Sequence, residues 1–178
     1  MVPVLIFGYG NPARGDDALG PALIARLEDF QPRRAGPPPW DLLTDFQPQP
    51  EHALDLIGRD RVILVDADVS LPVPYRLEPI LADRAASYTT HAMRPGALLW
   101  VYGQIGAGAP PPAWLLRIRG YHFALGAPLS AGALENLVGA EAGFAGVFGG
   151  GGRVEGGGAG LLSAPVGSRL VSNTAPCH

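Results

Sequence analysis

The 178-residue chain contains no lysine, so its 13 cations are all arginines, set against 16 acids for a net charge of −3. A balance so near neutrality gives no electrostatic pull toward DNA, RNA or an anionic membrane, which argues against nucleic acid as a partner. Cysteine is nearly absent. The single Cys177 stands next to the end, which excludes a disulfide framework and any cysteine-based zinc or iron–sulfur site and fits a reducing compartment. No stretch reaches 18 uninterrupted apolar residues, and the apolar opening before Gly8 lacks a basic leader and is too short for a signal core. The expectation is a cytoplasmic protein without a membrane span. Charged residues make up only 16% of the chain against 47% hydrophobic, a composition that can bury a core.

What the chain has in excess is glycine and proline, 25 and 19 residues. The excess is local: ten of the glycines fall between Gly143 and Gly160, and prolines cluster at Pro37–Pro39 and Pro110–Pro112. The run GGGGRVEGGGAG offers no side chains to bury and loses the most backbone freedom on ordering. Residues 149–178 are therefore expected to be a flexible tail on a single domain spanning 1–148.

Within that domain, Val2 to Phe7 is a short, almost wholly apolar run that stops at Gly8, the pattern of a strand buried on both faces. It is expected at the centre of its sheet. From Asp16, in the N-cap position, Leu19, Leu23 and Leu27 recur along one helical stripe. A second strand follows near Trp40 to Thr44, a short surface helix from Glu51 to Ile57 stopped by Gly58, and a third strand from Arg61 to Val65 ending at Asp66. Strand, helix, strand, helix, strand predicts a parallel sheet with helices on its faces. Tyr75 to Ile80, flanked by prolines, reads as an edge strand. Residues 94–104 read as a helix, Trp114 to Ile118 as a strand, and Ala131 to Ala142 as the last helix.

The most informative segment is G-Y-G-N-P-A-R-G-D-D-A-L-G, from Gly8 to Gly20. Gly8, Gly10 and Ala13 satisfy G-x-G-x-x-A after a strand, so a dinucleotide-binding turn is one reading. Pro12 removes an N–H group, however, and the first helical turn carries two carboxylates that repel a phosphate. The acid that would bind ribose would have to be Glu28 or Asp29, both inside the first helix. Paired acids at the C-terminal end of a strand suit a cation better.

Asp16 reads as the helix cap, and Asp17 as either a ligand or an acid compensating the helix dipole. Asp66, the first residue off the third strand, opens onto the same crevice if the two strands are neighbours; Asp68 competes for that role. Of four histidines, His91 in S-Y-T-T-H-A-M-R-P is the best placed. His52 lies on the short helix, His122 adjoins a strand and His178 ends the chain. Two carboxylates and an imidazole make an O,O,N set that suits nickel or zinc.

These residues resemble the hydrogenase maturation endopeptidases, which remove a C-terminal extension from the large subunit of nickel-iron hydrogenases. The likeness runs through G-x-G-N-x4-D-[DE]-x2-G at Gly8–Gly20, V-D-A at Val65–Ala67, the loop at His91, and Y-H-F-A-L-G-A-P-L-S from Tyr121. It implies a three-layer α/β/α fold with a mostly parallel, twisted sheet of about five strands and helices on both faces. It also implies that Asp17, Asp66 and His91 are at once metal-contacting and catalytic. Nickel would arrive already installed in the large-subunit precursor, with zinc or cadmium able to stand in, and either acid could be the general base. Two other functions stay open: a non-catalytic metal-binding chaperone of hydrogenase assembly, and a nucleotide-binding domain built on the Gly8–Gly10 turn.

Overall fold

The computed structural model describes residues 4–30, 40–84 and 93–148. The proposed tail, 149–178, lies outside the described residues. Five strands form one sheet: β1 (Val4–Tyr9), β2 (Asp41–Asp45), β3 (Arg61–Asp68), β4 (Tyr75–Ile80) and β5 (Ala113–Arg119). Their order across the sheet is β2-β1-β3-β5-β4, parallel throughout except for β4, which runs antiparallel along β5. The expected central strand is one place off: β3 is central and β1 lies beside it. Both are apolar on both faces for the same reason, since helices cover each side of the sheet. In β3, Val62, Ile63, Leu64 and Val65 are all fully buried.

Helices α1 (Leu19–Phe30) and α3 (Ala131–Phe148) cover one face, and α2 (Pro95–Gln104) with a 3-10 helix at Pro50–Leu56 covers the other. The Leu19, Leu23 and Leu27 stripe packs on Ile6, Ile63 and Val65. Leu98, Leu99 and Tyr102 of α2 share the opposite core with Leu5, Phe7, Val62 and Leu64. β4 takes the edge, where Pro79 faces Trp114 and its missing N–H breaks no second ladder. The last helix is longer than its sequence suggests. Gly143, just past the expected end at Ala142, lies where an added Cβ would stand 3.2 Å from Tyr75 Oη, so the glycine lets α3 pass close over β4.

The site end of the sheet depends on another close approach. A Cβ on Gly8 would meet Gly20 O at 2.4 Å, and one on Gly20 would meet Tyr9 O at 2.3 Å. Backbone therefore packs on backbone where α1 crosses the end of β1, and no side chain fits at either position. Gly20→Ala must push α1 off the strand. We expect it to lower the unfolding free energy by about 3 kcal/mol in urea titration; an unchanged midpoint would contradict this packing.

Candidate active site

The chain leaves β1 for β2 on one side and β3 for β4, beyond β5, on the other, so the crevice where open α/β sheets hold ligands lies between the C-terminal ends of β1 and β3. The turn after β1 is built from its own polar groups. Gly10 sits at φ 141° with Asp17 O where a Cβ would be, a position only glycine can fill. Its N–H donates to Asp45 O at 3.1 Å. Asn11 Oδ1 accepts from Ala13 N at 2.9 Å, while Asn11 N donates to Asp17 Oδ2 at 3.0 Å. That last bond fixes one oxygen of Asp17.

Asp16 is not a helix cap. Asp16 and Asp17 both lie inside a 3-10 helix, Gly15–Ala18, that precedes α1 and has Arg14 at its N-cap position. Successive residues of a 3-10 helix point about 120° apart. Asp16 is fully buried, and its carboxylate accepts from Tyr121 N at 2.7 Å, His122 N at 2.9 Å, Ser130 N at 2.7 Å and Ser130 Oγ at 2.7 Å. Its own N–H returns a bond to His122 O at 2.8 Å. Burial alone would raise its pKa, but the donors from Ser130, Tyr121 and His122 outweigh that and hold it below the usual carboxylate range. Tyr121–Ser130 is thus tied to the turn, which accounts for the stretch Y-H-F-A-L-G-A-P-L-S.

β3 runs on to Asp68, so Asp66 lies within the strand and not just past it, and the two competing aspartates separate by their partners. Asp68 accepts from Arg117 Nη1 at 2.8 Å and from both the N–H and the hydroxyl of Ser70 at 2.7 Å. These donors, against the effect of its burial, keep its pKa low. Asp66 has no ion-pair partner among the described residues. Its pKa is raised to about 7: burial raises it most, the Tyr9 hydroxyl and the Ala67 N–H pull it down, and the charges of Asp17 and Asp68 raise it again. Burial first, and then Asp66, push the Tyr9 phenol well above its ordinary value, so it stays a neutral hydroxyl.

Asp17 and Asp66 line one cavity of about 290 Å³ together with Tyr9, Gly10, Phe46, Gln47 and the Met93–Pro95 wall. His91 lies outside the described residues, two positions before Met93. Among the described residues no three His, Cys, Asp or Glu side chains are grouped to hold an ion. Two carboxylates without a guanidinium partner still fit a divalent cation that brings or finds further donors.

His52, read as a surface residue, is buried instead. Its ring stands 4.7 Å from Phe7, its Nδ1 accepts from Gln49 N at 2.9 Å, and its Nε2 faces Asp45 Oδ2 at 3.3 Å. It thus pins the loop after β2 that walls the cavity. Sequence reasoning missed Tyr9, Asp16 as a latch, and this histidine. Only the 121–130 motif carried a signal for any of them.

The arrangement is that of an α/β protein with paired carboxylates at its switch point. No family model and no curated protein matches the sequence. Solved structures do match it. The NiFe hydrogenase maturation protease HycI from Thermococcus kodakarensis KOD1 aligns with a TM-score of 0.62 and 20% identity, over 83% of this chain and 93% of that one. The hydrogenase maturating endopeptidase HybD from E. coli gives 0.60 and 21%, over 78% and 87%. A hydrogenase 2 maturation peptidase from Thaumarchaeota archaeon SCGC_AB-539-E09 gives 0.53 and 22%, over 82% and 97%. The chain has the fold of the hydrogenase maturation proteases.

The shifts of Asp16 and Asp66 run in opposite directions, and so do their effects on stability. Asp16, with a lowered pKa, stabilises the fold above its unfolded value of about 3.9, and that contribution disappears as pH falls through the folded value. Asp66, with a raised pKa, favours the protonated fold, so its contribution declines as pH rises from about 4 to about 7. Asp16→Ala leaves several buried donors without an acceptor and is expected to cost about 3 kcal/mol at pH 8. Asp66→Asn should raise stability at pH 8 and change it little at pH 5, as read by urea unfolding at both pH values.

Proposed function

We propose that this chain is an endopeptidase that removes the C-terminal extension of a nickel-iron hydrogenase large-subunit precursor once nickel is in place. The observation that carries this reading is the pair of Asp17 and Asp66 in one cavity, without a cationic partner among the described residues, on a fold shared with proteins named as hydrogenase maturation proteases. Nickel enters as part of the substrate. Asp17, held by Asn11 N through Oδ2, offers Oδ1, and Asp66 offers a carboxylate that ionises near neutrality. His91 is proposed as the third donor. Asp17, Asp66 and His91 would hold the substrate's divalent ion, whose chemistry would be polarisation of the carbonyl of the bond to be cut. Asp66 or Asp17 would take the proton of the attacking water, and the neutral Tyr9 hydroxyl lies beside Asp66. The proposed site of action is the cytoplasm; no helix among the described residues is long and apolar enough to cross a membrane.

The dinucleotide reading has an observation against it. The N–H groups of Gly10, Asn11 and Ala13, which a pyrophosphate would need, already donate to Asp45 O, Asp17 Oδ2 and Asn11 Oδ1.

Incubation with a nickel-loaded precursor should shorten it, and Asp17→Ala, Asp66→Ala and His91→Ala should each slow cleavage by about 100-fold or more. A precursor that binds but keeps its length would instead mark an assembly chaperone. Because the ion needs the deprotonated acid, cadmium affinity should fall about tenfold per pH unit below pH 7; isothermal titration between pH 5.5 and 8 checks this, and a flat profile would remove Asp66 from the ligand set.

A further inference from the structure

The sheet face that carries Asp66 continues past the cavity into a row of arginines with no part in the chemistry above. Register sets Asp66 of β3 beside Arg117 of β5, and Arg117 beside Arg76 of β4; Arg119 lies opposite Asp68 on the same face. All three arginines are partly exposed. Arg117 holds both nearby acids, with Nη1 2.8 Å from Asp68 Oδ2 and Nε 3.0 Å from Glu78 Oε1. Arg76 and Arg119 are left over. Neither pairs with an acid among the described residues, and each has a buried Nε with no acceptor. Arg119 reaches only Pro72 O at 3.5 Å and lies 4.9 Å from the Tyr121 ring centre. Outside the described residues the sequence carries a single acidic side chain, Glu155.

Guanidinium groups that are partly buried and lack acceptors are costly, and their planar fork fits a carboxylate in two parallel hydrogen bonds. Arg117, between them in the row, already shows two carboxylates held on this face. We propose that Arg76 and Arg119 form a carboxylate-binding site that holds an acidic group of the peptide segment presented to Asp17 and Asp66. Two strand spacings separate Arg76 from Asp66, about 10 Å, which an extended peptide covers in roughly three residues. The site therefore selects a segment with a carboxylate about three residues from the bond that is cut. Only the identity of the occupant rests on the peptidase reading.

The test uses the full chain and three fluorescein-labelled hexapeptides: one with a central glutamate and an amidated end, its glutamine counterpart, and the glutamine peptide with a free C-terminal carboxylate. Fluorescence anisotropy should show the wild type binding a carboxylate-bearing peptide at least tenfold more tightly than the glutamine amide. Which of the two acids binds better separates a side-chain carboxylate from a chain end. Arg76→Gln/Arg119→Gln should bring the ratio to about one, and Arg76→Lys/Arg119→Lys, which keeps the charge and loses the fork, should keep part of it. Equal binding of all three peptides, absence of binding, a ratio that survives the glutamine double variant, or equal competition by inorganic phosphate would overturn the proposal. If the glutamine variant does not fold, the lysine variant decides, and an undiminished ratio there overturns it. In cleavage of the nickel-loaded precursor the glutamine variant should raise KM at least fivefold with kcat unchanged. An unchanged KM in an active enzyme sinks this site alone, whereas discriminating peptides without cleavage by the wild type sink the peptidase reading alone.

Discussion

The buried carboxylate of Asp16 is the interaction on which the site geometry depends. A charged group with no exposure is tolerated only when its oxygens are fully bonded, and here Tyr121, His122 and Ser130 supply the donors. Those donors come from a segment more than 100 residues away, between β5 and α3. The bond set therefore joins the first and last thirds of the described chain across the end of the sheet. It also orients the 3-10 helix, so that Asp17, one residue on, turns toward the cavity while Asp16 turns away from it. Two adjacent acids of the same type thus do opposite things, one fixed and one open.

The same division recurs at the end of β3. Asp68 is paired with Arg117 and hydrogen-bonded by Ser70, while Asp66 has no cationic partner among the described residues and is held partly protonated near neutrality by its burial. A carboxylate already paired with arginine is a poor ligand, because a metal would have to displace the guanidinium. The unpaired carboxylate beside it is ready to exchange its proton for an ion. Arg117, the neighbour of Asp66 across the sheet, is engaged by Asp68 and Glu78 and makes no ion pair with Asp66.

Much of this order is legible in the chain itself. Val62–Val65, buried on both faces, and the Leu19–Leu23–Leu27 stripe carry their periodicity on the surface of the sequence, because burial on a regular element repeats at its period. The Gly8-to-Gly20 motif likewise shows as spacing, since a Cβ at Gly8 or Gly20 would stand only 2.3–2.4 Å from a backbone oxygen. Long-range polar bonds leave no such trace. Asp16 looks like any helix cap until the 121–130 segment folds against it, and His52 looks exposed on a short helix until Asp45, Gln49 and Phe7 close around it. Asp66 and Asp68 are likewise equivalent in one dimension; Arg117, some 50 residues on, separates them.

The backbone of the glycine turn explains why a strand–glycine–helix segment of this kind serves a cation. In a phosphate-binding turn the N–H groups point outward, unpaired, and the helix dipole adds to them. Here three of the turn's N–H groups donate inward to Asp45 O, Asp17 Oδ2 and Asn11 Oδ1, and the turn presents carboxylate oxygen to the crevice instead. The helix start favours those acids electrostatically, so the dipole that elsewhere attracts a phosphate holds in place the ligand of opposite purpose. The sign of the ligand is therefore set by where the donors of the turn point, and the glycine spacing that both kinds of turn share does not decide it.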